Sequence, residues 1–180
     1  MAAPLRPSFF DRPTPRVARE LLGTQLRTWG PDGRRSVRLV EVEAYVARDP
    51  ANHADRGPTR RNRSMFGPPG TLYVYRIHRV ACANVVTRPG QAVLFRAGAP
   101  IEPERANPSG PGRLSRVLSL GIADDGRPIG DGRWEIVRDR PPEPAGRIAL
   151  GPRVGVSRAA ERPLRFAVRG DPWVSRPRPT

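Results

Sequence analysis

The sequence contains no lysine, and all 32 of its basic residues are arginines. Imine (Schiff-base) chemistry needs an amine that can lose its proton, which a guanidinium cannot do in a protein. The only other amine is the α-amino group, and it begins a segment, residues 1–7, that we interpret as a loose tail. The composition therefore argues against an enzyme that works through a covalent imine.

Cysteine and histidine are nearly absent as well. Cys82 is the only cysteine, so the chain cannot form an internal disulfide, a cysteine zinc site or an iron–sulfur cluster. His53 and His78 are the only histidines, too few for a typical histidine-based metal site. We therefore expect neither a metal nor a cofactor.

Long apolar segments are also missing. No run approaches the roughly 20 residues that span a membrane, and no signal peptide is visible. The single cysteine fits a reducing compartment, so we expect a cytoplasmic protein with no membrane partner. The 180 residues suffice for one domain with a core. Nothing in the sequence predicts an oligomer, and we expect a monomer.

Positive charge is abundant. The 32 arginines face 17 acidic residues, which gives a formal net charge of +15. A coding bias explains the choice of arginine over lysine, but it does not explain the excess of cations over anions. A surface this positive attracts phosphate groups, so the balance favours a polyanionic partner.

The apolar pattern predicts a single α+β domain around a mostly antiparallel sheet. Helical spacing begins at Thr14-Pro15, as an N-cap followed by proline, and ends before Gly23; a second helix is predicted at 112–120. Irregular loops are predicted at 47–70, with at most one short helix, and at 101–111, and a proline-rich tail at 172–180. Strands are predicted at 24–29, 36–46, 71–77, 83–87, 92–96, 134–137, 148–150, 153–157 and 164–168.

Two of these strands carry candidate site residues. Because side chains alternate along a strand, Glu41, Glu43 and Tyr45 share one face, while the apolar residues between them share the other. On its own this pattern favours a solvated strand face. Tyr73 and Tyr75 also share a face, and packing alone explains them too. If both strands line one cleft, that cleft has aromatic walls and a carboxylate, which suits a planar base.

The polar loop between them carries a histidine and an arginine cluster. Asp55 is a candidate hydrogen-bond partner for His53, and the alternative is an exposed loop histidine. Each arginine of the run 60–63 is best explained by solvation, whereas the cluster as a whole slightly favours phosphate contact.

Six blocks of sequence carry a resemblance to a known family. The chain resembles the alkyladenine, or 3-methyladenine, DNA glycosylases nearly from end to end and in the right order. The blocks are FFDRPTPRVARELLG (9–23), EVEAY (41–45), NHADRGPTRRNRSMFGPPGTLYVY (52–75), CANVV (82–86), GPGRLSRVL (110–118) and ERPLRFAVRGDPWVS (161–175). The resemblance implies a curved antiparallel sheet with flanking helices and a protruding β-hairpin for the DNA minor groove.

The resemblance also assigns catalytic roles. Glu43 matches the family's general base, and Arg96 matches the arginine that helps to hold the attacking water. The backbone carbonyl of Val154 matches the third ligand of that water. The implied reaction is hydrolysis of an N-glycosidic bond, which leaves an abasic site.

Further positions match residues that contact the lesion base. Tyr45, His53 and Tyr75 match the residues that sandwich and bond the flipped base. Asn84 matches the asparagine that crowds the amino group of guanine and tunes selectivity.

The hairpin tip departs from the family pattern. Relatives wedge an aromatic residue into the gap left by the base, three residues after the position of Tyr75, where this chain has His78. The segment before Cys82 is one residue shorter than usual, however, and counting back from Cys82 makes Ile77 the wedge. Both candidates stay open. The expected contacts to the DNA backbone are Arg76, Arg79, Arg63 and Arg113.

The resemblance implies a monofunctional glycosylase of base excision repair, which we expect in a bacterial, nucleoid-associated setting. Its partner would be double-stranded DNA that contains damaged purines, namely 3-methyladenine and 7-methylguanine, with hypoxanthine and ethenoadenine as further candidates. The alternative is a non-catalytic basic nucleic-acid-binding domain in which Glu43 is structural. A hydrolase of free nucleosides or RNA fits the pocket but leaves the arginine excess without a purpose.

Overall fold

Alternating apolar residues make strands, and not helices, the main regular secondary structure of the chain. The structure, a computed structural model, describes residues 3–101 and 106–179. Within these ranges the strands are β1 (Ala3–Pro4), β2 (Gln25–Gly30), β3 (Gly33–Tyr45), β4 (Leu72–Ile77), β5 (Val80–Arg88), β6 (Gln91–Pro100), β7 (Trp134–Arg138), β8 (Ile148–Gly151) and β9 (Arg165–Val168). The α-helices are α1 (Pro7–Phe10), α2 (Thr14–Leu21) and α3 (Pro111–Val117). Short 3-10 helices span Arg63–Phe66, Ile122–Asp124 and Ala145–Arg147.

The strands described form one antiparallel sheet. Its main path runs β1-β7-β2-β3-β6-β5-β4, and β9 pairs with both β3 and β8. On one side, the first part of β3 pairs with β2 and its later part, at residues 41–43, with β9. On the other side it pairs with β6. This confirms the predicted α+β class, and it makes β3 and β6 the centre of the sheet.

The core lies on the face of β3 that carries its apolar residues. Val40, Val42 and Ala44 are each at most 2 % exposed and belong to the main core cluster. Helix α2 covers this core with Val17 and Leu21, neither of which is exposed. Burial of each such side chain contributes about 1.5–3 kcal/mol. Periodicity therefore identified the faces of α2 and β3 that pack into the main core.

The pairing of β3 with β6 is interrupted where the polar site residues lie. Leu39 opposes Gly98, Glu41 opposes Ala97 and Val42 opposes Phe95. The first step leaves Val40 of β3 without an opposing residue, and the second leaves one residue of β6 without one. The residue skipped on β6 is Arg96. Bulges of this kind bend a strand and re-aim its side chains, and they are common beside active sites.

Several sequence-based predictions are wrong in detail. The segment 153–157 is a turn, not a strand, because Gly155 has φ +76° and Arg153 is drawn into an ion pair. Residues 3–7 are not a loose tail, since Ala3 and Pro4 pair with β7 and Pro7 begins α1. Residues 1, 2 and 180, and residues 102–105 of the loop predicted at 101–111, lie outside the described residues.

Two local predictions have a clearer outcome. Thr14 is the first residue of α2 rather than its N-cap, and its hydroxyl bonds that of Thr87 at 2.8 Å. The short helix allowed within the loop 47–70 is the 3-10 turn Arg63–Phe66. Among the described residues, no helix combines the length and apolar character required to cross a bilayer.

Candidate active site

The three tyrosines of the chain converge on one cleft of about 690 Å³. Tyr45 comes from the end of β3, and Tyr73 and Tyr75 come from β4. His53, from the loop after β3, completes the aromatic lining. The two strands with alternating polar faces therefore line one hollow, as the aromatic pattern suggested.

The aromatic wall is built by contacts between rings. The His53 ring centroid lies 4.5 Å from that of Tyr75, with the ring planes at 76°. Nδ1 of His53 lies 3.0 Å from the hydroxyl oxygen of Tyr73, so the hydrogen-bond partner of this histidine is Tyr73 and not Asp55. His53 as a whole is exposed, which agrees with the alternative of an exposed loop histidine, but partial burial of its ring against the tyrosines lowers its pKa below its usual value. At neutral pH the imidazole is therefore uncharged and presents one donor and one acceptor nitrogen.

Glu43 lies directly behind the wall of the cleft and has no exposed surface. Its Oε1 accepts a hydrogen bond from the backbone N–H of Val154 (2.8 Å), and its Oε2 accepts one from the hydroxyl of Tyr45 (2.9 Å). Nη1 of Arg96 lies 3.3 Å from Oε1. A solvated strand face is therefore ruled out for this acid, and all three partners line the cleft.

Two opposing influences set the ionisation of Glu43. Burial raises its pKa, whereas the charge of Arg96 and the hydrogen bonds from Val154 and Tyr45 lower it, and the net direction is upward. The facing groups donate hydrogen bonds and so stabilise the ionised form. A carboxyl group whose pKa is raised from its ordinary value towards neutral pH, and whose ionised form these donors stabilise, suits a general base.

Arg96 joins Glu43 to a second buried acid, Glu41. Nε of Arg96 donates to Oε1 of Glu41 (3.0 Å), as does Nε of Arg165 (2.6 Å). Ser175 bonds the same carboxylate through its backbone N–H (2.7 Å) and its hydroxyl (2.9 Å). Neither Arg165 nor Ser175 was identified from the sequence. The predicted tail at 172–180 thus contains a buried residue that belongs to the support of the site.

A second buried ion pair, between Asp49 and Arg153, packs against the ring of Tyr45. The side chains of Asp49 and Arg153 have no exposed surface; Nη2 of Arg153 lies 3.0 Å from one carboxylate oxygen of Asp49, and Nη1 contacts the other. The guanidinium carbon of Arg153 lies 4.7 Å from the ring centroid of Tyr45. Since Val154 follows Arg153, this pair also fixes the N–H that bonds Glu43.

Asn84 occupies the floor of the cleft on β5. It is 3 % exposed, and its amide nitrogen donates to the backbone carbonyls of Tyr73 (3.0 Å) and Cys82 (3.4 Å). The orientation of its side chain is therefore fixed by the backbone of β4 and β5. Cys82, also in the lining, is buried, and burial raises the pKa of its thiol.

The last residue of β4, Ile77, and the first residue of the turn to β5, His78, are the two wedge candidates, and both are exposed. Ile77 is 49 % exposed and lines the mouth of the cleft, whereas His78, in a left-handed conformation (φ +54°), is not in its lining. Arg76 and Arg79 are exposed on either side. The turn rests on α3 through Val80, and a Cβ atom at Gly112 would overlap the Cγ1 atom of Val80.

A second groove of about 810 Å³ adjoins the cleft and shares Arg96 and Pro111 with it. Arg113, Arg176 and Arg178 line this groove. Among the described residues, Arg113 and Arg178 donate side-chain hydrogen bonds only to backbone carbonyls, and Arg176 donates none. Within the same residues, none of the three arginines forms an ion pair. Arg63 is exposed on its 3-10 turn and is not among the residues that line this groove.

Metal ions are bound in proteins by sets of several ligand side chains. In the part of the chain that the structure describes, no group of three or more His, Cys, Asp or Glu side chains is placed to bind a metal ion. The expectation that catalysis needs no metal stays a prediction.

Comparison with known proteins identifies the family. The family model described as methylpurine-DNA glycosylase (MPG) matches residues 8–172. A protein of Anaeromyxobacter dehalogenans, named "Putative 3-methyladenine DNA glycosylase", is 47 % identical over 96 % of this chain and 85 % of its own length. Proteins of the same name from Agrobacterium fabrum and Rhizobium johnstonii are 40 % and 38 % identical, over 94 % of this chain and 91 % and 88 % of their own lengths. The chain belongs to the methylpurine-DNA glycosylase family.

Proposed function

We propose that this protein is a monofunctional DNA glycosylase that flips alkylated purines out of duplex DNA and hydrolyses their bond to the sugar. Family membership and the names of the bacterial relatives support a DNA glycosylase. The observation that carries the mechanism is the position of Glu43, a buried carboxylate held by three donors immediately behind an aromatic cleft.

The cleft suits a flipped purine. Its volume of about 690 Å³ and its walls of Tyr45, Tyr75 and His53 provide flat surfaces on which a base can stack. A purine methylated at N3 or N7 is cationic, and stacking on a tyrosine adds a cation–π attraction of about 0.5–2 kcal/mol. This attraction favours 3-methyladenine and 7-methylguanine over normal bases. Neutral lesions such as hypoxanthine or ethenoadenine depend on shape and hydrogen bonds instead.

Hydrolysis uses Glu43 as the base. As the glycosidic bond breaks, its electron pair leaves with the purine, and a water held by Arg96 and the carbonyl of Val154 attacks C1′. Glu43 takes the proton of this water, and its negative charge stabilises the cationic sugar. The products are the free base and an abasic sugar. Because Tyr45 bonds one oxygen of Glu43 in the free protein, its hydroxyl must yield for water to reach that oxygen.

The surface around the cleft suits duplex DNA. Extrusion of a nucleotide costs a few kcal/mol, and less for a poorly paired, damaged base. We assign the wedge that fills the vacated space to Ile77, because it is exposed at the cleft mouth and His78 is not part of the lining. Arg76, Arg79 and Arg113 are exposed nearby to contact phosphates.

Release of the base from DNA is the decisive test. Duplex DNA methylated at purines is incubated with the protein, and the released bases and the DNA strand are analysed separately. The proposal predicts free 3-methyladenine, an intact strand with an abasic site, and full activity in a chelator. Binding without release would establish the non-catalytic alternative. Strand cleavage without added base or heat would contradict the monofunctional assignment. That assignment rests on the absence of lysine, the residue that would form the covalent imine of a lyase.

A further inference from the structure

Glu41 is a second fully buried carboxylate, two residues before Glu43 on the same strand, and the hydrolysis proposed above gives it no part. Its two oxygens accept four hydrogen bonds, from Arg96, Arg165 and both donors of Ser175. Arg165 also donates from Nη2 to the carbonyl of Ser175 (2.9 Å). Glu41 is therefore the point at which β3, β6, β9 and the C-terminal segment meet.

The bonds of Arg96 are divided unequally between the two acids. Its Nε donates a hydrogen bond to Glu41 (3.0 Å), and its Nη2 donates one to the hydroxyl of Ser175 (3.2 Å). Towards Glu43 it presents Nη1 alone, as an ion pair at 3.3 Å. A guanidinium free to rotate would instead form two parallel bonds to one carboxylate, the preferred geometry for this pair. The arrangement around Glu41 prevents this for Glu43.

We propose that Glu41 is a positioning residue that competes for Arg96 and so keeps Glu43 available as the base. Together with Ser175, it holds Arg96 where one nitrogen reaches Glu43 and no bidentate pair can close. A bidentate pair would occupy the carboxylate oxygens that must accept the proton of water. The inference rests on the proposed function of Glu43.

The charged and titratable groups of the described residues that face Glu43 bear on the pH dependence of this arrangement. These groups are Glu41 and Tyr45 on β3, Tyr75 on β4, Cys82 on β5, Arg96 on β6, Arg165 opposite Glu43 on β9, and Arg153 in the loop after β8. The negative charge of Glu41 raises the pKa of Glu43, and the charge of Arg96 lowers it. Neutralising Glu41 removes the first influence and strengthens the second, so both changes lower the pKa of Glu43.

The test is Glu41→Gln, with Glu135→Gln as the matched control. Glu135 lies on β7 and pairs with Arg27 at 3.4 Å, outside the cleft. The rate of base release is measured under single-turnover conditions as a function of pH. In the pH–rate profile of Glu41→Gln, the acid limb, where the rate rises with pH, should shift to lower pH by about one unit. This is the order of shift that one neighbouring charge produces. The plateau rate should fall by at most about tenfold, because a base weaker by one pKa unit assists the attack less. The control should match the wild type in both.

A second measurement does not depend on activity. The pKa of Glu43 is followed by carbon NMR of protein labelled at the glutamate carboxyl carbon, with the signal assigned from Glu43→Gln. It should fall in Glu41→Gln and stay unchanged in Glu135→Gln. An acid limb or a Glu43 pKa that is unchanged or raised overturns the proposal, even if the variant is slow or unstable. If the wild type releases no base, the proposed function fails. The NMR titration would still show whether Glu41 affects the pKa of Glu43.

Ser175→Ala keeps the test valid if Glu41→Gln does not fold. This change removes the hydroxyl that bonds both Arg96 and Glu41, but it retains the charge of Glu41 and the backbone N–H that bonds it. The acid limb should move in the same direction by a smaller amount. An unchanged limb in folded Ser175→Ala overturns the role given to this arrangement.

Discussion

The Asp49→Asn substitution tests the buried ion pair behind Tyr45. It removes the charge of Asp49 with little change in the shape of the side chain. The guanidinium of Arg153, which has no exposed surface, then loses the carboxylate that neutralises it. Arg153 then keeps the carbonyl of Ala44 (3.2 Å) as an acceptor, and its Nε already lacks a partner among the described residues. Loss of one member of a buried pair costs about 3–5 kcal/mol of unfolding free energy.

The magnitude is large enough to measure by chemical and thermal unfolding. In a chain of this size each kcal/mol lowers Tm by about 2–4 °C, so a fall of about 10 °C is expected. Asp32→Asn is the control, because that carboxylate is 76 % exposed in its ion pair with Arg35 and its loss should cost at most about 1 kcal/mol. The reasoning is refuted if the two variants are equally stable.

The pH dependence of the effect has a definite sign. Burial alone would raise the pKa of Asp49, but the hydrogen bonds from Arg153 and Ala51 and the charge of Arg153 bring it below its usual value. A lowered pKa in the folded state contributes stability above the unfolded pKa of about 3.9, and the contribution is lost as the pH falls through the folded value. The difference between wild type and Asp49→Asn should therefore be constant near neutral pH and shrink in acid.

Three further predictions concern DNA and the lesion. Gly112→Ala should push Val80 and the hairpin away from α3 and weaken binding to lesion-containing duplex, measured by fluorescence anisotropy; unchanged affinity would contradict the role of that contact. Arg113→Gln should lower the slope of log K against log salt by about 0.9, the value for one lost phosphate contact; an unchanged slope removes Arg113 from the interface. Tyr75→Leu should reduce excision of 7-methylguanine more than that of hypoxanthine, by a factor of roughly 2–30 from a cation–π term of 0.5–2 kcal/mol; equal losses would exclude that attraction.

The sequence predicted the parts of the structure that depend on local alternation. In 40–45 the side-chain period of two separated the core residues from Glu41, Glu43 and Tyr45, and the structure keeps that division. The same pattern could not show that the polar face is buried. That burial comes from Ser175 and Val154, which are more than 100 residues away along the chain, and from bulges that alter the register at Arg96.

The wrong predictions have a common physical cause: in each case the local structure is decided by a contact with a residue that is distant in the sequence. Residues 153–157 have the apolar alternation of a strand, but the buried pair with Asp49 and the positive φ of Gly155 stop the strand. Residues 3–5 look like a tail, yet β7 offers them an edge with free backbone groups. The assignment of His53 to Asp55 failed because Tyr73, twenty residues later, is brought closer by β4.

Glu43→Gln tests the central claim most directly, with binding and chemistry measured on the same preparation. The amide keeps the shape of the side chain but cannot accept the proton of the attacking water. Affinity for duplex DNA that carries a methylated purine should be retained, and single-turnover release of the base should fall by about 10²–10⁴-fold, the usual contribution of a general base. Base release at the wild-type rate by the folded variant would contradict the account.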